Sequence, residues 1–144
     1  MKTQKILKNS LHFRSAIEKI RKNLSVSFIN FPRGSCGYAT ILLGTYLLEN
    51  NLGQFFYTLG DYHSSNNEWS SHAWLQQGEL IVDITADQFE EIEQKVIVTK
   101  DSTWHQNLKG KRQELADLNI YKGYAFNVLV NDYNLILDRM NKDK

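Results

Sequence analysis

Residues 38–50, Tyr-Ala-Thr-Ile-Leu-Leu-Gly-Thr-Tyr-Leu-Leu-Glu-Asn, carry no charge before Glu49. A helix that is apolar all round has no face for water and must lie at the centre of a fold. The rest of the chain is therefore expected to wrap around this segment, which Gly53 closes. With 144 residues, one domain is the expected count. A chain of this size buries about 68–70% of its unfolded surface, so it can build a core without staples.

Upstream, residues 10–24 read as an amphipathic helix. Leu11, Ile17, Ile20 and Leu24 recur at helical spacing, with Arg14, Glu18, Lys19, Arg21 and Lys22 opposite and Ser10 as the N-cap. A loop over 30–35 leads to Cys36. After Gly53 the period changes. Gln54–Leu59 is strand-like, and residues 60–71 are polar and turn-forming, which predicts a long loop. His72–Gln76 and Glu79–Thr85 read as strands around a Gln77-Gly78 turn, and Lys95–Thr99 as another. Residues 100–112 show no clear period. The segment 123–141 has helical spacing, although Tyr121–Val130 also fits a strand. Helix, helix, strands, helix predicts an α+β fold with an antiparallel sheet, single-domain over residues 1–144.

Seventeen basic and sixteen acidic residues leave a net charge of +1. That balance gives no electrostatic reason to bind nucleic acid or a membrane surface. A single cysteine excludes an intramolecular disulfide and a cysteine-rich zinc site. No apolar run approaches the roughly 20 residues of a membrane helix. Met1 to Lys5 lead into a charged segment and not a signal-peptide core, so a cytoplasmic location is expected.

The lone cysteine sits in Gly34-Ser35-Cys36-Gly37, where loop becomes helix. A helix N-terminus favours the thiolate, and flanking glycines let a substrate approach the backbone. A free cysteine is more often a small buried hydrophobe. The second half of the chain changes that balance. A two-residue turn at Gln77-Gly78 pairs Trp74 with Ile81, Ala73 with Val82 and His72 with Asp83. Opposed residues share a face with Cβ atoms roughly 4.5–5.5 Å apart. Asp83 would then orient the His72 imidazole, and His72 would take the thiol proton. Cys36, His72 and Asp83 supply nucleophile, base and orienting acid.

The stretch Arg33-Gly34-Ser35-Cys36-Gly37 through Leu48, with His72-Ala73-Trp74-Leu75 and Gly78, resembles the papain-like fold in its transglutaminase-like branch. It is similar to the cysteine peptidases that remove lasso-peptide leaders, and arylamine N-acetyltransferases share the same Cys, His, Asp order. The likeness spans residues 31–89. It implies a Cys36-headed helix packed on the sheet and acyl-transfer chemistry through a Cys36 thioester. The substrate would be a peptide bond, a glutamine side chain or a small amide, with no cofactor and no metal. Water as acceptor makes a hydrolase, and an amine makes an acyltransferase; a binding domain that kept the fold without the chemistry is the third reading. Papain-like peptidases place an oxyanion-hole glutamine six residues before the cysteine, where this chain has Asn30. Ser35 and Gln88 are alternative donors.

Arg33 is a candidate contact for an acidic substrate group. Trp74 shares a face with His72 and is a candidate wall of the site, although strand aromatics more often pack. Asp87 reads as a turn or cap residue, His63 as solvated, and Lys109 to Arg112 as a solvated turn. His105 beside Trp104 is a candidate cleft-lining residue, and nothing in its local pattern decides it.

Overall fold

The N-terminal helix, α1 (Lys2–Ile20), starts well before Ser10. The structure, a computed structural model, describes residues 2–143. Ser10 lies mid-helix, and the buried stripe is Ile6, Ser10, Phe13, Ala16 and Ile17. Leu11, expected in the core, is 49% exposed, while Arg14, expected on the polar face, is only 3% exposed. Arg14 is inside because both terminal nitrogens of its guanidinium find acceptors, although Nε has none. Arg14 donates to both Asp87 carboxylate oxygens, at 2.6 and 2.8 Å, and to the carbonyls of Ile84 and Lys95. Asp87 is thus the buried arginine's partner, and α1 is tied through it to the segment that follows the central hairpin.

The apolar segment is α2 (Cys36–Glu49), buried from Ala39 to Leu47. Its end differs from expectation. Asn51, with φ +59°, takes the left-handed position, and the Leu52 N–H reaches the Leu47 carbonyl. Packed against it is a five-stranded antiparallel sheet. In chain order the strands are β1 (Phe56–His63), β2 (Trp69–Gln77), β3 (Leu80–Asp83), β4 (Ile97–Thr99) and β5 (Lys111–Leu115). Their spatial order is β4-β3-β2-β1-β5, so β2 is central. A short helix, α3 (Thr103–Asn107), precedes β5, and α4 (Gly123–Lys142) ends the chain. The strand alternative for 121–130 is therefore replaced by helix. No helix among the described residues is long and apolar enough to cross a membrane.

Residues 60–71 are not a loop. Gly60 pairs with His72, Asp61 with Ser71, Tyr62 with Ser70 and His63 with Trp69. The hairpin runs beyond the core into solvent, so its polar composition reflects exposed strand and only 64–68 form the tip.

The β2–β3 turn is at Gly78-Glu79, one residue later than the Gln77-Gly78 expectation. Leu75 pairs with Val82, Gln76 with Ile81 and Gln77 with Leu80. Gly78 has φ +58°, which suits the first central position of a type II′ turn and which a side-chain-bearing residue would resist. Moving the turn by one residue shifts the pairing sum by two. Because side chains alternate with period two, every residue keeps its face. His72 and Asp83 become diagonal neighbours on the same side of the sheet.

The two faces bury different clusters. Leu75, Leu80 and Val82 enter the main core with α1, α2 and α4. Trp74 and Ile81 form a second cluster with Leu108, covered by Tyr62 and Trp104. The Trp74 indole lies so close to Gly60 and Gly110 that a Cβ on either would approach it to 2.8 or 2.5 Å. Glycine at both positions makes the room that this indole occupies.

Candidate active site

Cys36 is the first residue of α2 and is partly exposed. His72, on β2, and Asp83, at the end of β3, are both buried. His72 Nε2 lies 2.7 Å from Asp83 Oδ2. With Nε2 so engaged, Nδ1 is the nitrogen left for the Cys36 thiol, which interacts with His72 and with the backbone N–H of Ala73. The Gln88 side-chain nitrogen is 3.3 Å from the same Nδ1. Phe89 and Trp104 stand edge-on to the imidazole, with centroids at 5.1 and 5.6 Å.

The electrostatics follow from this burial. Desolvation opposes the ionised form of all three groups, yet in each case the partners win. Burial alone would raise Cys36, but the His72 contact holds the thiol below its ordinary pKa. Burial would lower His72, but Asp83, and then Cys36, push it up to about 9. Asp83, also opposed by burial, is held well below the usual carboxylate range by His72 and His105. The contacts favour the ionised form of each group, a thiolate facing an imidazolium with a carboxylate behind.

His105 is the site residue that sequence reasoning leaves out. Its Nε2 is also 2.7 Å from Asp83 Oδ2. Its Nδ1 is 2.6 Å from Ser102 Oγ, which caps α3 by accepting the His105 backbone N–H. An ionised carboxylate only accepts, so both histidines present Nε2–H to it. Asp83 Oδ1 accepts the Thr85 backbone N–H at 2.9 Å. Three donors hold one carboxylate, which suffices to keep it charged in a dry interior. The local clue to His105 was Ser102, three residues earlier at a helix cap; the contact with Asp83 spans 22 residues and leaves no local trace.

His72, Asp83 and His105 are also a group whose ligating atoms lie within 4.8 Å of one another. The two 2.7 Å contacts are hydrogen-bond lengths. A tetrahedral zinc with bonds of ~2.0 Å holds its ligand atoms ~3.3 Å apart and needs nitrogens free of protons. The spacing fits a proton network better than a metal centre.

The remaining expected residues are dispersed. Asn30 is exposed, and its carbonyl accepts the Arg33 N–H; it is not joined to Cys36 or His72. Arg33 is exposed on the same turn. Ser35 is buried and donates to the Pro32 carbonyl. Trp74 is 2% exposed, lies against His105 at 4.9 Å and donates to Gln76. It packs beneath the two histidines and offers substrate no surface. Tyr57, not singled out by the sequence, puts its hydroxyl 3.2 Å from where a Gly37 Cβ would stand. Burial first, then Cys36 and Glu114, raise its pKa to about 12, so it keeps its proton.

The ion pair has a consequence for stability. Unfolded, His72 titrates near ~6.5 and Cys36 near ~8.5. A raised histidine stabilises the fold fully below its unfolded value and loses that contribution as pH rises towards about 9. A lowered cysteine contributes fully above its unfolded value and loses that as pH falls through its folded one. Wherever the folded pair is imidazolium–thiolate and the unfolded pair imidazole–thiol, both states bind the same one proton and the pair adds no slope. In Cys36→Ala only the histidine half remains, still raised by Asp83, and stability should decline as pH rises from ~6.5 relative to wild type. Urea midpoints across this window test it; parallel profiles for the two proteins would show that the proton is not shared.

No protein-family model, curated protein or solved structure matches this chain, so the reading of its site rests on these residues and contacts.

Proposed function

We propose that this protein is a cysteine-dependent hydrolase of amide bonds, in a peptide or a glutamine side chain, built on a papain-like, transglutaminase-like arrangement. Cys36 is the nucleophile, His72 the general base and acid, and Asp83 the residue that orients His72. The observation that supports it most is the buried imidazole that bonds Asp83 through one nitrogen while its other nitrogen is left for a thiol of lowered pKa. A satisfied core histidine needs no nucleophile beside it, and a structural cysteine needs no imidazolium.

In the first half-reaction the Cys36 thiolate attacks the carbonyl carbon and a C–S bond forms. The carbonyl π electrons move to oxygen, where the Cys36 backbone N–H and a side-chain donor receive the charge. Gln88, already beside His72, is better sited for that role than the exposed Asn30. As the C–N bond breaks, His72 Nδ1–H protonates the leaving amine. Water then attacks the thioester, His72 takes its proton, and the acid leaves as the thiolate returns. An amine in place of water would make the same intermediate an acyl donor.

The test is the pH dependence of Cys36 alkylation by iodoacetamide in the native protein, beside His72→Ala. One cysteine makes the signal unambiguous. An inflection well below ~8.5, the free-thiol value, that moves up in His72→Ala is the expected result. Ordinary thiol behaviour, identical in both proteins, would reject the pair and leave a binding domain as the better reading.

A further inference from the structure

A cleft of about 520 Å³ opens between the exposed end of the β1–β2 hairpin and α3. We propose that it is a substrate subsite for a basic side chain, lysine or arginine, lying one to three residues from the bond that Cys36 attacks. The inference rests on the hydrolase reading for its link to Cys36, and on the cleft's own chemistry for its preference.

The walls are aromatic and the fixed charge is mainly negative. Tyr62, Trp69 and Trp104 line it, with Asp61 and Glu91 as carboxylates and Lys109 as the lysine among its lining residues. Trp69 is 73% exposed, an unusual position for so large an apolar surface, and stacks on His63 at 3.8 Å. Aromatic faces flanked by carboxylates favour an alkyl-chain cation, because ring quadrupole and charge attract the same group. Guanidinium adds planar stacking.

Glu91 is set for this. One of its oxygens accepts the Tyr62 hydroxyl at 2.8 Å and the other the Trp104 indole N–H at 3.1 Å. Burial would raise its pKa, but these bonds lower it. A carboxylate has about four acceptor positions, and two remain after these bonds. Asp61 takes part in none of the ion pairs among the described residues. Two carboxylates against one lysine leave the cleft short of positive charge.

The cleft shares a wall with the proposed catalytic centre. Trp104 lines it and also stands edge-on to His72. Phe89 stacks on Tyr62 at 4.0 Å, stands edge-on to His72 and lies beside Trp104 at 5.5 Å. At ~3.3–3.6 Å per extended residue, a peptide bound through Cys36 would cross this wall within one to three residues.

The experiment uses chloroacetyl-capped amino-acid amides, whose chloride is displaced by the thiolate as a C–S bond forms. Second-order rates for arginine, norleucine and glutamate probes are each divided by the same protein's iodoacetamide rate. The arginine probe should exceed norleucine by about tenfold, with glutamate slowest, and the preference should shrink in Glu91→Gln and in raised salt. Separately, arginine amide titrated into Cys36→Ala should quench tryptophan fluorescence saturably, and less so with Glu91→Gln added. A thiolate-type iodoacetamide profile with equal probe rates and no quenching overturns the subsite and leaves the hydrolase reading standing. Ordinary iodoacetamide behaviour with saturable quenching does the reverse. A preference for the glutamate probe would assign the cleft to Lys109 and overturn the proposal.

Discussion

Asp83→Asn should move the inflection of Cys36 alkylation up to or above ~8.5, where thiolate at pH 7 is about 3% or less. The cause is the number of donors that Asp83 serves. Its carboxylate accepts from His72, His105 and the Thr85 backbone at once. An asparagine oxygen that keeps Thr85 turns an NH₂ towards both Nε2 atoms, which also carry hydrogen. His72 must then shift its proton to Nδ1, where it faces the thiol and can no longer accept from it. Burial, which already works against both charges, meets no opposing partner. The position of the inflection reads ionisation alone, whereas the limiting rate also changes with thiolate nucleophilicity. An unmoved inflection would separate Asp83 from the chemistry.

Arg14→Ala should be the costliest single change to the fold outside the site, about 3–5 kcal/mol by urea unfolding. It strips a two-pronged partner from Asp87 and leaves the Ile84 and Lys95 carbonyls without their donor. It also removes the guanidinium that lies 5.0 Å over Phe31. The stranded carboxylate is the main penalty, so Arg14→Met with Asp87→Leu should recover a good part of the loss. Additive losses would show that the pair is not coupled. The same bond fixes the segment that carries Thr85, Gln88 and Phe89, three residues that touch His72 or Asp83. Hence a helix remote from the chemistry sets the position of one wall of the site.

The legible parts of the sequence were those governed by short periods. The uncharged run after Cys36 could only be a central helix. The meeting of His72 with Asp83 was readable because alternation has period two, and it survived a turn placed one residue early. Arg14 was misread because a charged residue on an amphipathic helix is normally solvated, and its acceptors lie 70 to 81 residues away. The polar hairpin over 60–71 was misread because exposed strands and loops use similar residues. His105 was hidden twice. Its helix has five residues, too few to show a period, and its partner lies on a strand 22 residues earlier.

That five-residue helix has so few internal bonds that its persistence depends on outside ties. Those ties are Ser102 at its cap, His105 on Asp83 and Trp104 on Glu91. Two of the three end on carboxylates, Asp83 at the proposed catalytic centre and Glu91 in the adjoining cleft. Local melting of α3 therefore cannot be a neutral excursion. Each opening would release one donor from Asp83 and take away a wall of the cleft in the same event. A molecule that settled against Trp104 would therefore favour the folded α3, and with it the His105 contact on Asp83.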